Sequence, residues 1–235
     1  MVQYSTGVLT TAFNFSVSHA VASALTVSGN IGFRERVTTA GGPATTTSGI
    51  IASVDVVRDL ASGSGFGGIT YDAAGARTST ALRLGRTLDL PSGSLTASLE
   101  ANRTAGSRVQ LLGRAAYQRD LPSGTLTVDL NQSLTTDTFD QDIKVSSLGI
   151  NYDQALTSST GLNLAMNISR SEDSGAGVAA TFNRATASAT FSKQLTSDWD
   201  MQLGYRHRLS SGSTVATASS DSIFLTLTRN IQFGF

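Results

Sequence analysis

Short Ser/Gly turns recur along this chain, each closing one alternating stretch and opening the next. They are plainest at Leu88-Asp89-Leu90-Pro91-Ser92-Gly93 and at Arg119-Asp120-Leu121-Pro122-Ser123-Gly124. The residues after such a turn alternate with period two: Leu95, Ala97, Leu99 and Ala101 fall on one side, Thr96, Ser98, Glu100 and Asn102 on the other. A helix needs apolar positions three and four apart, so the period excludes it. Weaker copies stand at Leu60-Ala61-Ser62-Gly63, Leu156-Thr157-Ser158-Ser159 and Leu195-Thr196-Ser197-Asp198, and Ser18 to Ala24 falls where a sixth belongs. The copies lie roughly 30 to 40 residues apart, one hairpin and its return loop per repeat, which makes the chain an up-and-down β-meander.

Period-two alternation between the turns predicts strands near 6–17, 25–37, 49–58, 66–73, 78–89, 94–103, 108–120, 125–135, 143–154, 162–170, 179–193, 199–209 and 222–235. Most are about 9 to 13 residues long, beyond the globular mode and matched to a tilted strand crossing a bilayer. The stretch 66–73, with Gly67 and Gly68, lacks clean alternation. Without it twelve strands remain; with an upstream segment there are fourteen, and an odd number is not expected of a bacterial single-chain barrel.

Charge narrows what such a meander can face. Lys and Arg together number 17, as do Asp and Glu, so the net charge is zero, and charged residues are only 14% of the chain. Nucleic-acid binding needs a clustered basic excess, so it is not expected. Soluble domains carry about a quarter charged residues, so a surface this poor in charge must face something other than water. There is no Cys, which removes disulfides and thiolate metal sites. No apolar run reaches the length of a transmembrane helix, and only a closed β-barrel satisfies its backbone in lipid. Met1 to Tyr4 lacks the basic start of a signal peptide, so the numbering is expected to begin after a cleaved leader or at an excised domain.

The two faces differ as such a barrel requires. Leu25, Val27, Ile31 and Phe33, then Ile50, Ala52, Val54 and Val56, then Leu162, Leu164, Met166 and Ile168 mark one face; Thr26, Ser28, Asn30 and Arg34, with Asn163 and Asn167, mark the other. Phe15, Tyr117, Tyr152 and Phe191 each stand four residues before the end of a strand at a short turn, as one aromatic girdle would. Connections at 38–48, 136–142, 171–178 and 210–221 are longer, so short turns occupy one rim and long loops the other.

The final stretch, Asp221-Ser-Ile-Phe-Leu-Thr-Leu-Thr-Arg-Asn-Ile-Gln-Phe-Gly-Phe235, alternates to a terminal aromatic. It resembles the carboxy-terminal β-signal of Gram-negative outer-membrane β-barrel proteins, porin-like or autotransporter-type. The resemblance implies insertion into the outer membrane by the barrel assembly machinery, with Phe233 and Phe235 as the assembly signal. The resemblance is specific over these residues, while the rest of the chain matches by its hairpin pattern.

Candidate sites are few. Gly63-Ser-Gly-Phe-Gly-Gly68 contains G-x-G-x-x-G, but the residues after it are strand-like and not the helix start a phosphate loop needs, so a flexible turn is expected. His19 and His207 fall at opposite rims and cannot act together. Asp137, Asp140 and Asp142, or Glu172 and Asp173, offer oxygens for Ca²⁺ without any fitting spacing and read as solvated loop tips. The remaining constellation is the charge set of the polar face: Arg34, Arg83, Arg114, Arg206 and Arg208 opposed by Asp55, Glu100 and Asp129, expected to line a narrow pore or brace its interior. No catalytic residue, cofactor or metal is expected. The fold expected is an all-β, antiparallel up-and-down transmembrane barrel of about 12–14 strands over residues 1–235. The function expected is a passive pore for small polar solutes or a membrane anchor, in contact with outer-membrane lipid. Its rivals are the translocator barrel of a longer chain and a secreted or surface-layer β protein.

Overall fold

Alternating Thr, Ser and Asn against Val, Ile, Leu and Ala favours extended backbone, and the turns fix where each strand reverses. The computed structural model describes residues 7–39, 44–73, 78–136, 142–173, 181–213 and 216–229, and among them there is no helix. They form thirteen strands: β1 Gly7–Ala22, β2 Leu25–Thr39, β3 Thr45–Leu60, β4 Gly63–Asp72, β5 Ser79–Leu90, β6 Gly93–Thr104, β7 Gln110–Leu121, β8 Gly124–Thr136, β9 Asp142–Thr157, β10 Thr160–Asp173, β11 Thr181–Gln194, β12 Trp199–Gly212 and β13 Ala218–Arg229. Contacts gather in two units, Met1–Leu88 with Thr96–Gly113, and Asp89–Leu95 with Arg114–Phe235.

In the first unit β1 through β5 pair antiparallel with their chain neighbours. Strand β6 joins them where the Thr96 hydroxyl lies 3.0 Å from that of Thr87. In the second unit β7 through β13 pair in the same way. Each unit is therefore an antiparallel up-and-down meander.

Successive hairpins are stitched together at the short turns. The residue just before each new strand offers its carbonyl to a neighbouring hairpin: Asp59 N donates to Ala24 O at 2.8 Å, Asp120 N to Ser92 O at 2.9 Å, Ala155 N to Ser123 O at 2.7 Å and Gln194 N to Ser159 O at 2.8 Å. This explains the Gly that ends the turn. A Cβ on Gly93 would collide with the Gln118 carbonyl and one on Gly124 with the Asp153 carbonyl, and Gly93 also holds φ at 144°.

Register settles the faces. Ile31 and Phe33 lie opposite Phe15 and Phe13; Leu203 lies opposite Phe191 on one side and Leu225 on the other. Phe15, Tyr117, Tyr152 and Phe191 all fall on the apolar face. That face is not packed away: Phe13 is 75% exposed, Leu99 71% and Ile223 79%, and Leu112 is the one buried apolar side chain of its kind among the described residues.

Several expectations are corrected. Residues 63–68 are not a turn but the start of β4, extended between β3 and β5. Glycine erased the period there, because Gly63, Gly65 and Gly67 occupy the apolar-face positions and carry no side chain to mark it. Strands run past the ends that alternation marks: β1 continues to Ala22, β12 to Gly212, and β13 begins at Ala218. Asp142 thus opens β9, and Glu172 and Asp173 close β10, rather than tipping loops. Asp137, Asp140, Phe233 and Phe235 lie outside the described residues.

Candidate functional site

A strand carries every second side chain to the polar face, so the charges there are placed by register alone. In the first unit Arg34 stands opposite Gly49, a gap that lets its guanidinium reach across β3 to Asp72 on β4, with N···O 2.7 Å. Asp55 stands opposite Gly68, and Arg83 opposite the same glycine from the other side; their charged atoms approach to 3.6 Å. Glycine in the intervening strand is the common device: a Cβ on Gly68 would strike the Asp55 carboxylate. Glu100 shares this face by its alternation with Thr96 and Ser98.

In the second unit Arg114 lies opposite Asn131, and Asp129 between Ala116 and Gly149. Amides surround the acids: Asn163 Nδ2 donates to Asn151 Oδ1 at 2.8 Å and to Asp153 Oδ1 at 2.7 Å, and Asn151 donates to the second Asp153 oxygen. Arg206 lies opposite Ser188 and Arg208 opposite Thr186. With Arg184 they line an open cleft of about 690 Å³ whose other walls include Ser210, Ser219 and Ser220. No ion pair joins these three arginines to an acid among the described residues.

All eight residues read from the sequence as a charge set thus occupy the polar face, but the structure pairs only Asp55 with Arg83. Asp72 and Arg184 complete the set. Arg184 is visible in the run Phe182, Arg184, Thr186, Ser188, whose partner positions Asn183, Ala185, Ala187 and Ala189 form the other face. What the sequence hid is aromatic. Phe66, Phe182 and Phe224 belong to the polar face, each under an arginine: Arg83 at 5.7 Å, Arg184 at 5.5 Å and Arg206 at 5.8 Å from the ring centroid. Phe66 and Phe224 lie flat over the glycines opposite them, Gly85 and Gly204, which is why rings tolerate a polar face here.

Charge is also ordered along the strands. Towards the long connections the polar face carries Arg34 and Arg36, with Asp72 bound to Arg34, in the first unit and Arg184, Arg206 and Arg208 in the second. Towards the short turns it carries Asp59 in the first, and Asp120, Asp153 and Asp200 in the second. His207 sits apart on the apolar face, where its Nδ1 lies 2.8 Å from Asp221 Oδ1 and the Tyr205 hydroxyl donates to the same oxygen at 2.5 Å. Among the described residues no group of three or more His, Asp or Glu side chains is gathered to hold a metal ion. A face of arginines, carboxylates, amides and hydroxyls can sort polar and charged solutes.

No protein-family model and no curated protein matches the chain. Among solved structures, OccAB4 of Acinetobacter baumannii matches with a TM-score of 0.51 at 13% sequence identity, over 94% of this chain. The chain spans 66% of the length of OccAB4. At that identity the likeness is one of fold.

Proposed function

We propose that this chain is a β-barrel of the bacterial outer membrane that passes small polar solutes through its interior without catalysing any reaction. The observation that carries this reading is the exposed apolar face. Strands of 10 to 16 residues present Leu, Ile, Val and Phe outward, and among the described residues Leu112 alone of these apolar side chains is buried, so the hydrophobic effect has almost nothing to act on within the chain. Such a face is stable only against hydrocarbon, and strands bearing it cross lipid only as a closed barrel. The polar face, with its arginines and carboxylates, then lines the lumen. The likeness in fold to OccAB4 supports the architecture that this reading assumes. The terminal strand's resemblance to a β-signal supports delivery by the barrel assembly machinery.

The test is planar-bilayer conductance of the full chain, folded in detergent, beside Arg83→Glu and Arg114→Glu. Stepwise conductance whose selectivity moves towards cations in the variants is expected. Insertion without conductance would leave an anchor or a translocator barrel; failure to insert would overturn the membrane reading.

A further inference from the structure

At the short-turn ends of the strands, charge is sorted by face. The polar face holds the aspartates described above, while the apolar face holds only cations among the described residues: Arg58 and Arg86 in the first unit, Arg119, Lys193 and Arg229 in the second. The opposite ends of the apolar face differ, because they carry charges of both signs, Glu35 and Arg103 among them. Arg170 pairs with Glu172 at 2.6 Å and His207 with Asp221 at 2.8 Å. A set of cations without acids is therefore, among the described residues, a feature of the short-turn rim of this face.

Two of them form a definite site. Arg58 on β3 and Arg86 on β5 both lie opposite Gly65 on β4, one from each side. With strands about 4.8 Å apart, their Cα atoms stand roughly 10 Å apart with a glycine between them. Nothing fills that gap: a Cβ on Gly65 would meet no atom nearer than Leu60 Cδ1 at 3.8 Å. Both arginines are exposed, and neither guanidinium has an ion-pair partner among the described residues. Two like charges flanking an empty notch repel each other unless an anion sits between them. The neighbours on this face are Val54, Val56 and Leu60, so the anion must arrive at the edge of an apolar surface. A guanidinium matches the paired oxygens of a phosphate, and its aliphatic stem lies along apolar surface while the head reaches the polar boundary.

Resting on the membrane reading above, we propose that Arg58 and Arg86 clasp, over Gly65, the phosphodiester headgroup of an anionic glycerophospholipid in the leaflet that meets the short turns. Charge complementarity selects this occupant. A zwitterionic lipid brings a cation with its phosphate, whereas a notch between two unpaired arginines favours a headgroup of net negative charge. Arg229, stacked at 5.7 Å over Trp199, gives the second unit a cation at the same level of its own strands.

The test uses the full chain folded in detergent and titrated with phosphatidylglycerol or phosphatidylcholine, with retained lipid counted by native mass spectrometry. Wild type is expected to retain phosphatidylglycerol in preference to phosphatidylcholine. In Arg58→Gln/Arg86→Gln the phosphatidylglycerol affinity is expected to fall by about tenfold or more, with Arg170→Gln unchanged. Gly65→Leu keeps both charges but fills the notch, and is expected to weaken retention as well; it decides the matter should the double variant not fold. Equal retention by wild type and Gly65→Leu, no preference between the lipids, or full displacement by inorganic phosphate would overturn the lipid site. A wild-type chain that inserts into phosphatidylcholine vesicles yet shows no preference leaves the barrel reading standing. One that fails to insert removes both.

Discussion

Leu225→Arg separates a lipid-facing strand from a water-facing one. On the apolar face of β13, Asp221 and Arg229 bracket Ile223, Leu225 and Leu227, and Leu225 lies midway and is 61% exposed. At about 3.3 Å per residue and a tilt near 40°, Leu225 stands roughly 10 Å from each charged end, close to the middle of an apolar band about 25 Å tall. Its lateral row is apolar too: Leu203, then Phe191, then Leu162. An arginine there has no described acid to meet and too far to reach for water. The expected cost is about 3 kcal/mol, or roughly a hundredfold in the folding equilibrium. An exposed leucine in water would make the same substitution worth no more than about 0.5 kcal/mol either way. The assay is reversible denaturant unfolding from phosphatidylcholine vesicles, followed by the fluorescence of Trp199, the chain's one tryptophan. Ile223→Arg and Leu227→Arg, nearer the boundaries, are expected to cost less, and Thr226→Arg on the polar face less than about 1 kcal/mol. A cost below about 0.5 kcal/mol for Leu225→Arg, or equal costs at positions 225 and 226, would refute the assignment of faces to lipid and lumen.

Three further outcomes are expected. Gly93→Ala forces a side chain into φ of 144° and against the Gln118 carbonyl, and should lower stability by about 1–3 kcal/mol in the same unfolding assay. Phe224→Leu keeps apolar cover over Gly204 but removes the ring beneath Arg206, costing about 0.5–1 kcal/mol and shifting single-channel selectivity as the guanidinium is freed. Arg34→Gln breaks the bond to Asp72, but both side chains are about one-third exposed (35% and 29%), so the loss should stay near 0.5 kcal/mol. A loss of several kcal/mol there would mean the pair is far drier than its exposure indicates.

The meander, its turns and the polarity of most faces were legible because each rests on a local rule. Alternation names a face, and Ser/Gly punctuation names a reversal. Strand β4 was the hardest to read: its apolar-face positions Gly63, Gly65 and Gly67 carry no side chain, so period two leaves no trace in them. Phe66 then stands on the face where an apolar residue is not expected. The same holds for Phe182 and Phe224, whose rings read as apolar although glycine and arginine neighbours hold them among polar groups. Asp72 escaped notice because its partner lies two strands away, a distance that only register supplies.

The sorting of charge at the short turns bears on how strand pairing stays faithful. In Arg58-Asp59-Leu60 and Arg119-Asp120-Leu121 an arginine and a carboxylate are adjacent and face opposite ways. A hairpin that slips by one residue exchanges the faces of every side chain on the shifted strand. Thr- and Ser-rich strands tolerate such a slip poorly but not absolutely, since small hydroxyls fit either environment. The Arg-Asp pair does not: slippage would drive an aspartate onto the apolar face just where the turn has closed. These two turns thus carry a proofreading mark, set at the point where a pairing error would otherwise spread along the strand.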